Sequence, residues 1–183
     1  MASDKLKGFR VAILVTDAFE QIELEEPRKA LEDAGATVKI VSPKFPIVKG
    51  WNHDKPNDDF NVDVLLSNAN PEDFDALLLP GGVANPDKLR IDDNAVSFAK
   101  QFGKKPIGAI CHGPWLLINA DLVKNKKMTS YPSLKADLTN AGAKWVDQEV
   151  VRDGNLVTSR KPADIPAFNK ALIELFAQQG KKA

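Results

Sequence analysis

The chain has 183 residues, enough for one domain over 1–183 with a real core, since a globular domain of about 150 residues buries roughly 70% of its unfolded surface. Its 25 Lys and Arg balance 25 Asp and Glu, so no long-range field draws a polyanion and nucleic acid is not an expected partner. One cysteine cannot close an intramolecular disulfide, and the longest apolar stretches, Ala76 to Ala84 and Pro106 to Cys111, fall far short of the roughly 20 residues of a membrane-spanning helix. The start, Met1-Ala2-Ser3-Asp4-Lys5, has no signal-peptide core, and the expectation is a cytoplasmic protein without membrane contact.

Phe9 to Val15 is a short apolar run rich in β-branched residues that stops at Thr16-Asp17, the pattern of a strand buried on both faces. From about Ile22 to Ala34 the period changes. Ile22, Leu24, Ala30 and Leu31 recur among charges before Gly35, which predicts a helix with Pro27 in its first turn. Thr37 to Val41 then reads as a second strand, so the opening is a parallel crossover unit of an α/β protein. Residues 43–60 are dense in turn formers and predict an irregular excursion with room for a small hairpin.

Asp75 to Leu79 ends at Pro80-Gly81-Gly82, and Pro106 to Ile110 ends at Cys111-His112-Gly113: two buried strands, each running into a glycine-bearing loop. The helix between them has Asp92 or Asp93 as its cap, Val96, Phe98, Ala99 and Phe102 as its buried face, and Gly103 as its end. Helices are also expected from Pro114 and over Leu134 to Ala141. Asp153-Gly154 between two strand-like runs predicts a hairpin, and a final helix from about Ala163 to Gln179 buries Ile165, Phe168, Leu172 and Phe176. Only Lys181-Lys182-Ala183 reads as a loose tail.

In an open parallel sheet ligands bind beyond the carboxyl ends of the strands, where Cys111 falls. A nucleophile on a sharp strand-to-helix turn needs small residues two positions to either side, and Ala109 and Gly113 stand there. A free cysteine often serves only as apolar filler. The small-residue frame and the adjacent His112 point instead to a reactive sulfur, which the start of the following helix is expected to hold as thiolate. The amides of His112 and Gly82 are candidates for an oxyanion site if their two strands are neighbours. Adjacent side chains at a turn diverge, so His112 is expected to face the substrate or a carboxylate rather than the sulfur. His53, in the polar excursion, reads as a surface residue. One cysteine and two histidines leave few soft metal ligands, and neither a Walker loop nor Gly-x-Gly-x-x-Gly occurs; no cofactor is expected.

Ala109-Ile110-Cys111-His112-Gly113-Pro114, with Leu79-Pro80-Gly81-Gly82 upstream and Phe19-Glu20-Gln21-Ile22-Glu23 near the start, resembles the PfpI family, in the superfamily of the parkinsonism-linked deglycase and class I glutamine amidotransferases. Thr129-Ser130-Tyr131-Pro132 and Ser159 to Asp164 extend the likeness over nearly the whole length. The resemblance implies a flavodoxin-like, doubly wound, mostly parallel sheet with helices on both faces, an α/β/α sandwich. It also implies that Cys111 is the nucleophile, that a protonated Glu23 hydrogen-bonds its sulfur, and that His112 assists. Gly81, Gly82 and Tyr131 would line the oxyanion or substrate pocket. In the family's proteases an acid from a neighbouring subunit completes the site; the matching residue here is Asp87, one methylene shorter than the archaeal glutamate. A homodimer or dimer-based hexamer follows by the same likeness. The expected function is a cysteine-dependent stress-response enzyme acting on aldehydes as a cofactor-independent glyoxalase or deglycase. A peptidase or amidase, and a redox sensor in which Cys111 is oxidised beside Glu23, are the alternatives.

Overall fold

The computed structural model describes residues 4–180; the expected loose tail and the first three residues lie outside them. The first apolar run forms β1 (Arg10–Leu14). Its side chains alternate between two cores: Val11 and Ile13 join one apolar cluster, Ala12 and Leu14 the other. A two-residue strand, β2 (Phe19–Glu20), precedes α1 (Ile22–Asp33). Pro27 lies in the second turn of α1, not the first as its sequence position suggests. The helix begins at Ile22, where the change of period puts it, and Glu23 and Leu24 in its first turn are both fully buried. At Pro27 the ring forgoes the amide bond to the carbonyl of Glu23. β3 (Thr37–Ser42) then pairs parallel with β1 along its whole length, Arg10 opposite Thr37 and Leu14 opposite Val41.

The turn-rich excursion is more regular than its composition suggests. β4 (Ile47–Asn52) and β5 (Lys55–Asn61) form an antiparallel hairpin, and β2 joins β4 to make a small three-stranded sheet. β6 (Val64–Leu65) returns to the main sheet beside β3. β7 (Ala76–Leu79) is followed by α2 (Ala84–Leu89), a short helix without a sequence signal, and by α3 (Asp93–Lys100). Asp92 caps α3, accepting from the amides of Asn94 and Ala95 at 2.9 and 3.1 Å. The helix ends at Lys100 and tighter turn bonds carry the chain on to the expected Gly103, whose amide donates to the Lys100 carbonyl at 3.1 Å, and Val96 is only half-buried.

β8 (Ile107–Ile110) runs into α4 (Pro114–Asn119). β9 (Lys127–Met128), α5 (Lys135–Asn140) and β10 (Lys144–Trp145) follow, the two strands pairing parallel outside the main sheet. β11 (Val150–Asp153) and β12 (Leu156–Ser159) form the expected hairpin with its turn one residue later, at Gly154-Asn155, because Asp153 still pairs with Leu156. α6 (Ile165–Gly180) ends the described chain.

The main sheet has the order β11-β12-β8-β7-β1-β3-β6, with β11 the only antiparallel member among the described residues. Its inner strands β3-β1-β7-β8-β12 follow the flavodoxin-like 2-1-3-4-5 winding, so the fold is the doubly wound α/β/α sandwich expected. Leu24 and Leu31 of α1 and Phe168, Leu172 and Phe176 of α6 fill one face, while Phe98 of α3 and Leu116 and Leu117 of α4 fill the other. Each such side chain contributes roughly 1.5–3 kcal/mol on burial. The winding reverses between β1 and β7, which sets the loops after β1, β7 and β8 around one crevice.

Candidate active site

At the end of β8 the backbone turns sharply: Cys111 has φ 61°, a left-handed conformation rare for a residue with a side chain. Neighbouring strands hold it there. Its amide donates to the carbonyl of Ser159 at the end of β12 (3.1 Å), and its carbonyl accepts from the amide of Tyr131 (2.9 Å). The crowding expected around the turn is real, because a Cβ on Gly113 would lie 2.5 Å from the carbonyl oxygen of Leu79 and 2.9 Å from that of Ile110. The loop after β7 presses in from the other side. A Cβ on Gly81 would stand 2.5 Å from Glu23 Oε2 and 2.6 Å from Cys111 Cβ, so the carboxyl and the cysteine flank the same glycine. Asn85, buried in α2, pins that loop by donating to the carbonyls of Pro80 (3.2 Å) and Gly81 (3.0 Å) while accepting from the Thr16 amide after β1 (2.8 Å).

Glu23 is fully buried; its Oε2 accepts from the Gly81 amide at 2.8 Å, and Oε1 has no hydrogen-bond partner. Burial lifts its carboxyl to about 8, with the charge of Glu20 adding and the Gly81 amide opposing. It therefore carries a proton at neutral pH, as the resemblance implied. Cys111 is only 8% exposed. Burial raises its thiol above the ordinary value and a charged Glu23 would raise it further, against the pull of the His112 and Gly82 amides on the sulfur. Loss of water around the sulfur thus works against the thiolate that the start of α4, a helix of only six residues, was expected to favour. β7 and β8 are neighbours, and the two amides named as an oxyanion site do converge on Cys111.

His112 differs from expectation in the opposite sense. Its Nδ1 is 3.2 Å from Cys111 Sγ, so the two adjacent side chains meet rather than diverge. Nε2 lies 3.2 Å from Ser133 Oγ, the ring of Tyr131 stacks on it at 4.8 Å, and Trp115 meets it edge-on at 5.1 Å. The imidazole is 7% exposed, and burial holds its pKa below the ordinary 6.5. Tyr131 is thus part of the site, and Ser133 and Trp115 join it although no pattern in the sequence marks them. Asp87 is not brought in within the chain; it is exposed in the first turn of α2, and the two ring nitrogens of His112 face Cys111 and Ser133 instead. His53 sits at the β4–β5 turn with its side chain 78% exposed, 3.7 Å from Glu20. Among the described residues no group of three His, Cys, Asp or Glu is placed to hold a metal ion. No helix there is long and apolar enough to cross a membrane.

A doubly wound α/β sheet with a cysteine in left-handed backbone at the end of an inner strand, a histidine on its sulfur and a protonated acid beside it, defines a narrow class. The chain belongs to the DJ-1/PfpI family, whose model matches residues 9–175. It is 47% identical over 169 residues to "Putative cysteine protease YraA" of Bacillus subtilis, an alignment that spans 91% of this chain and 97% of that one. It is 43% identical over 168 residues to "Deglycase PYRAB04690" of Pyrococcus abyssi, with 91% and 98% covered. Among solved structures, a two-domain protein from Anabaena variabilis with DJ-1/ThiJ/PfpI-like and ferritin-like domains superposes with a TM-score of 0.83 at 36% identity. That match covers 91% of this chain and 47% of the larger one.

Proposed function

We propose that this protein is a cysteine-dependent enzyme acting on carbonyl electrophiles, of the glyoxalase or deglycase type, with Cys111 as nucleophile. The observation that carries the reading is the 3.2 Å approach of His112 Nδ1 to Cys111 Sγ. As the sulfur adds to an aldehyde carbon, Nδ1 takes the thiol proton and the new oxyanion is received by the amides of Gly82 and His112. For a 2-oxoaldehyde the resulting hemithioacetal loses the proton on its former aldehyde carbon and gains one at the adjacent carbonyl. The former aldehyde carbon is thereby oxidised to a thioester as the neighbouring carbonyl carbon is reduced to an alcohol. Water then releases a 2-hydroxy acid and restores the thiol, so no outside oxidant is needed. Glu23, protonated and facing the sulfur, is suited to give and take back the mobile proton. The deglycase name of a relative 43% identical supports this substrate class. Methylglyoxal turnover by the purified protein is expected to vanish in Cys111→Ala, and equal rates in the two would end the reading.

A peptidase is the second reading, favoured by the name that YraA carries. It would use the same sulfur, with Asp87 of a neighbouring copy acting on His112. Val83 and Ile91, 58% and 81% exposed on either side of α2, support self-association through the face that carries Asp87. Hydrolysis of aminoacyl-coumarins lost in Asp87→Ala, with a dimer in light scattering, is the expected outcome; a monomer with unchanged hydrolysis would remove Asp87 from the site.

A further inference from the structure

We infer that Ser133 is the positioning residue of His112, fixing from within the chain the tautomer that leaves Nδ1 free to take the proton of Cys111. The inference rests on the reading of Cys111 as nucleophile, and it starts from both ring nitrogens having a single polar side chain in reach. Nδ1 faces Cys111 Sγ at 3.2 Å and Nε2 faces Ser133 Oγ at 3.2 Å. The ring cannot turn away from this line, because Tyr131 stacks on one face and Trp115 abuts it edge-on, itself anchored by its indole N–H to Asp137 Oδ2 at 2.8 Å.

A neutral imidazole has one N–H for two nitrogens. If the proton sat on Nδ1 it would point at a thiol that also carries a hydrogen, and the base would have no lone pair on the nucleophile's side. With the proton on Nε2, Nε2–H donates to Ser133 Oγ, Nδ1 accepts from the Cys111 S–H, and both contacts are satisfied. On attack a single proton moves, from Sγ to Nδ1; the imidazolium then donates from both nitrogens, to the thioether-forming sulfur and to Ser133, while the serine keeps its own hydroxyl hydrogen. Ser133 is exposed, so that hydrogen can be given to water and the oxygen kept as an acceptor. A hydroxyl is a neutral acceptor. It orients the ring without charging it, unlike the carboxylate that completes a Ser-His-Asp triad. It also stands where an acid from a neighbouring copy would have to reach, so the histidine is oriented before any partner arrives.

The test compares wild type, Ser133→Ala and Ser133→Thr by long-range proton–nitrogen NMR of His112, by iodoacetamide labelling of Cys111 at pH 7, and by thermal unfolding. The wild type is expected to show the Nε2–H tautomer. Ser133→Ala is expected to give a mixture of tautomers and label about three- to tenfold more slowly, the range one neutral hydrogen bond supplies, with an unchanged melting temperature. Ser133→Thr, which keeps the hydroxyl, is expected to restore both. Wild-type tautomer and labelling rate in Ser133→Ala, or equal loss in the alanine and threonine variants, would overturn the inference. The nitrogen spectrum is read without substrate, so absence of methylglyoxal turnover in the wild type would count against the substrate class, while the tautomer alone decides the role of Ser133.

Discussion

Replacing Glu23 by Gln should make the protein more stable at neutral pH, although it removes a group placed beside Cys111. Glu23 is fully buried, and its carboxyl is held at about 8 against an ordinary value near 4.5. Between those two values the folded protein keeps a proton that the unfolded chain has released, so stability falls as pH rises through the window and levels off above about 8. Each pH unit costs about 1.4 kcal/mol, which from 4.5 to pH 7 is about 3 kcal/mol. Gln cannot ionise and is free of this loss. Its amide oxygen can still accept from the Gly81 amide, the bond Oε2 makes at 2.8 Å, and its NH2 can face the sulfur. At 2–4 °C per kcal/mol for a chain of this size, the variant should melt about 6–12 °C above the wild type at pH 7. The assay is thermal unfolding of both proteins from pH 4.5 to 8.5. The gap should be small at pH 4.5, widen through pH 7 and become constant above 8. Carboxylates that are lowered in the fold, Asp17 and Asp75, and the lowered His112 are the same in both proteins and drop out of the difference. Equal melting temperatures at pH 7, or a gap that does not change with pH, would refute the claim that Glu23 is buried with its proton.

Gly81→Ala should abolish turnover and lower stability together, since the new methyl would fall 2.6 Å from Cys111 Cβ and 2.9 Å from the carbonyl oxygen of Ile110, neither able to move; a melting curve and a methylglyoxal assay on one preparation check both. Because His112 acts as a base only when neutral and burial holds it below 6.5, the acid limb of kcat/KM should fall below pH 6.5, and a midpoint above that value would assign the limb to another group. Asp92→Ala removes the acceptor for two amides at the start of α3 and should cost about 1 kcal/mol in urea unfolding with activity unchanged. Phe168→Ala empties a site at the centre of the α6 face and should cost about 3–5 kcal/mol by the same measurement.

What the sequence discloses depends on how local the cause is. The run from Phe9 to Val15 reads as a strand because every residue in it must meet an apolar face, whichever way it points, and the structure divides it between two cores. The start of α1 at Ile22 follows the change of period, but Pro27 falls in the second turn rather than the first, the amide bond it forgoes offset by the burial of Glu23 and Leu24 in the turn before it, a tertiary demand that overrides propensity. β9 and β10, two residues each, lie below any periodicity that sequence could show. The Cys111 turn is legible because it needs small neighbours at fixed spacing. Ser133 is not, because its place beside His112 is set by the carbonyl of Cys111 accepting from the Tyr131 amide, a contact between residues 20 apart in the chain.

The same local crowding accounts for the site's electrostatics. Left-handed backbone at Cys111 is uncommon for a residue with a side chain, and it persists because Ser159, Tyr131 and the bare α-carbons of Gly81 and Gly113 leave the chain one path. That closeness expels water from around the sulfur and from Glu23, raising both groups, so the resting pair holds two protons where an open site would hold only the one on the thiol. A buried thiol of this kind becomes a nucleophile only when a base in contact can take its proton. In the proposed reading His112 is that base, with its Nδ1 3.2 Å from the sulfur. On that reading the chemistry depends less on a preformed thiolate than on the orientation of one imidazole, and the residues stacked and bonded around that ring matter as much as the cysteine itself.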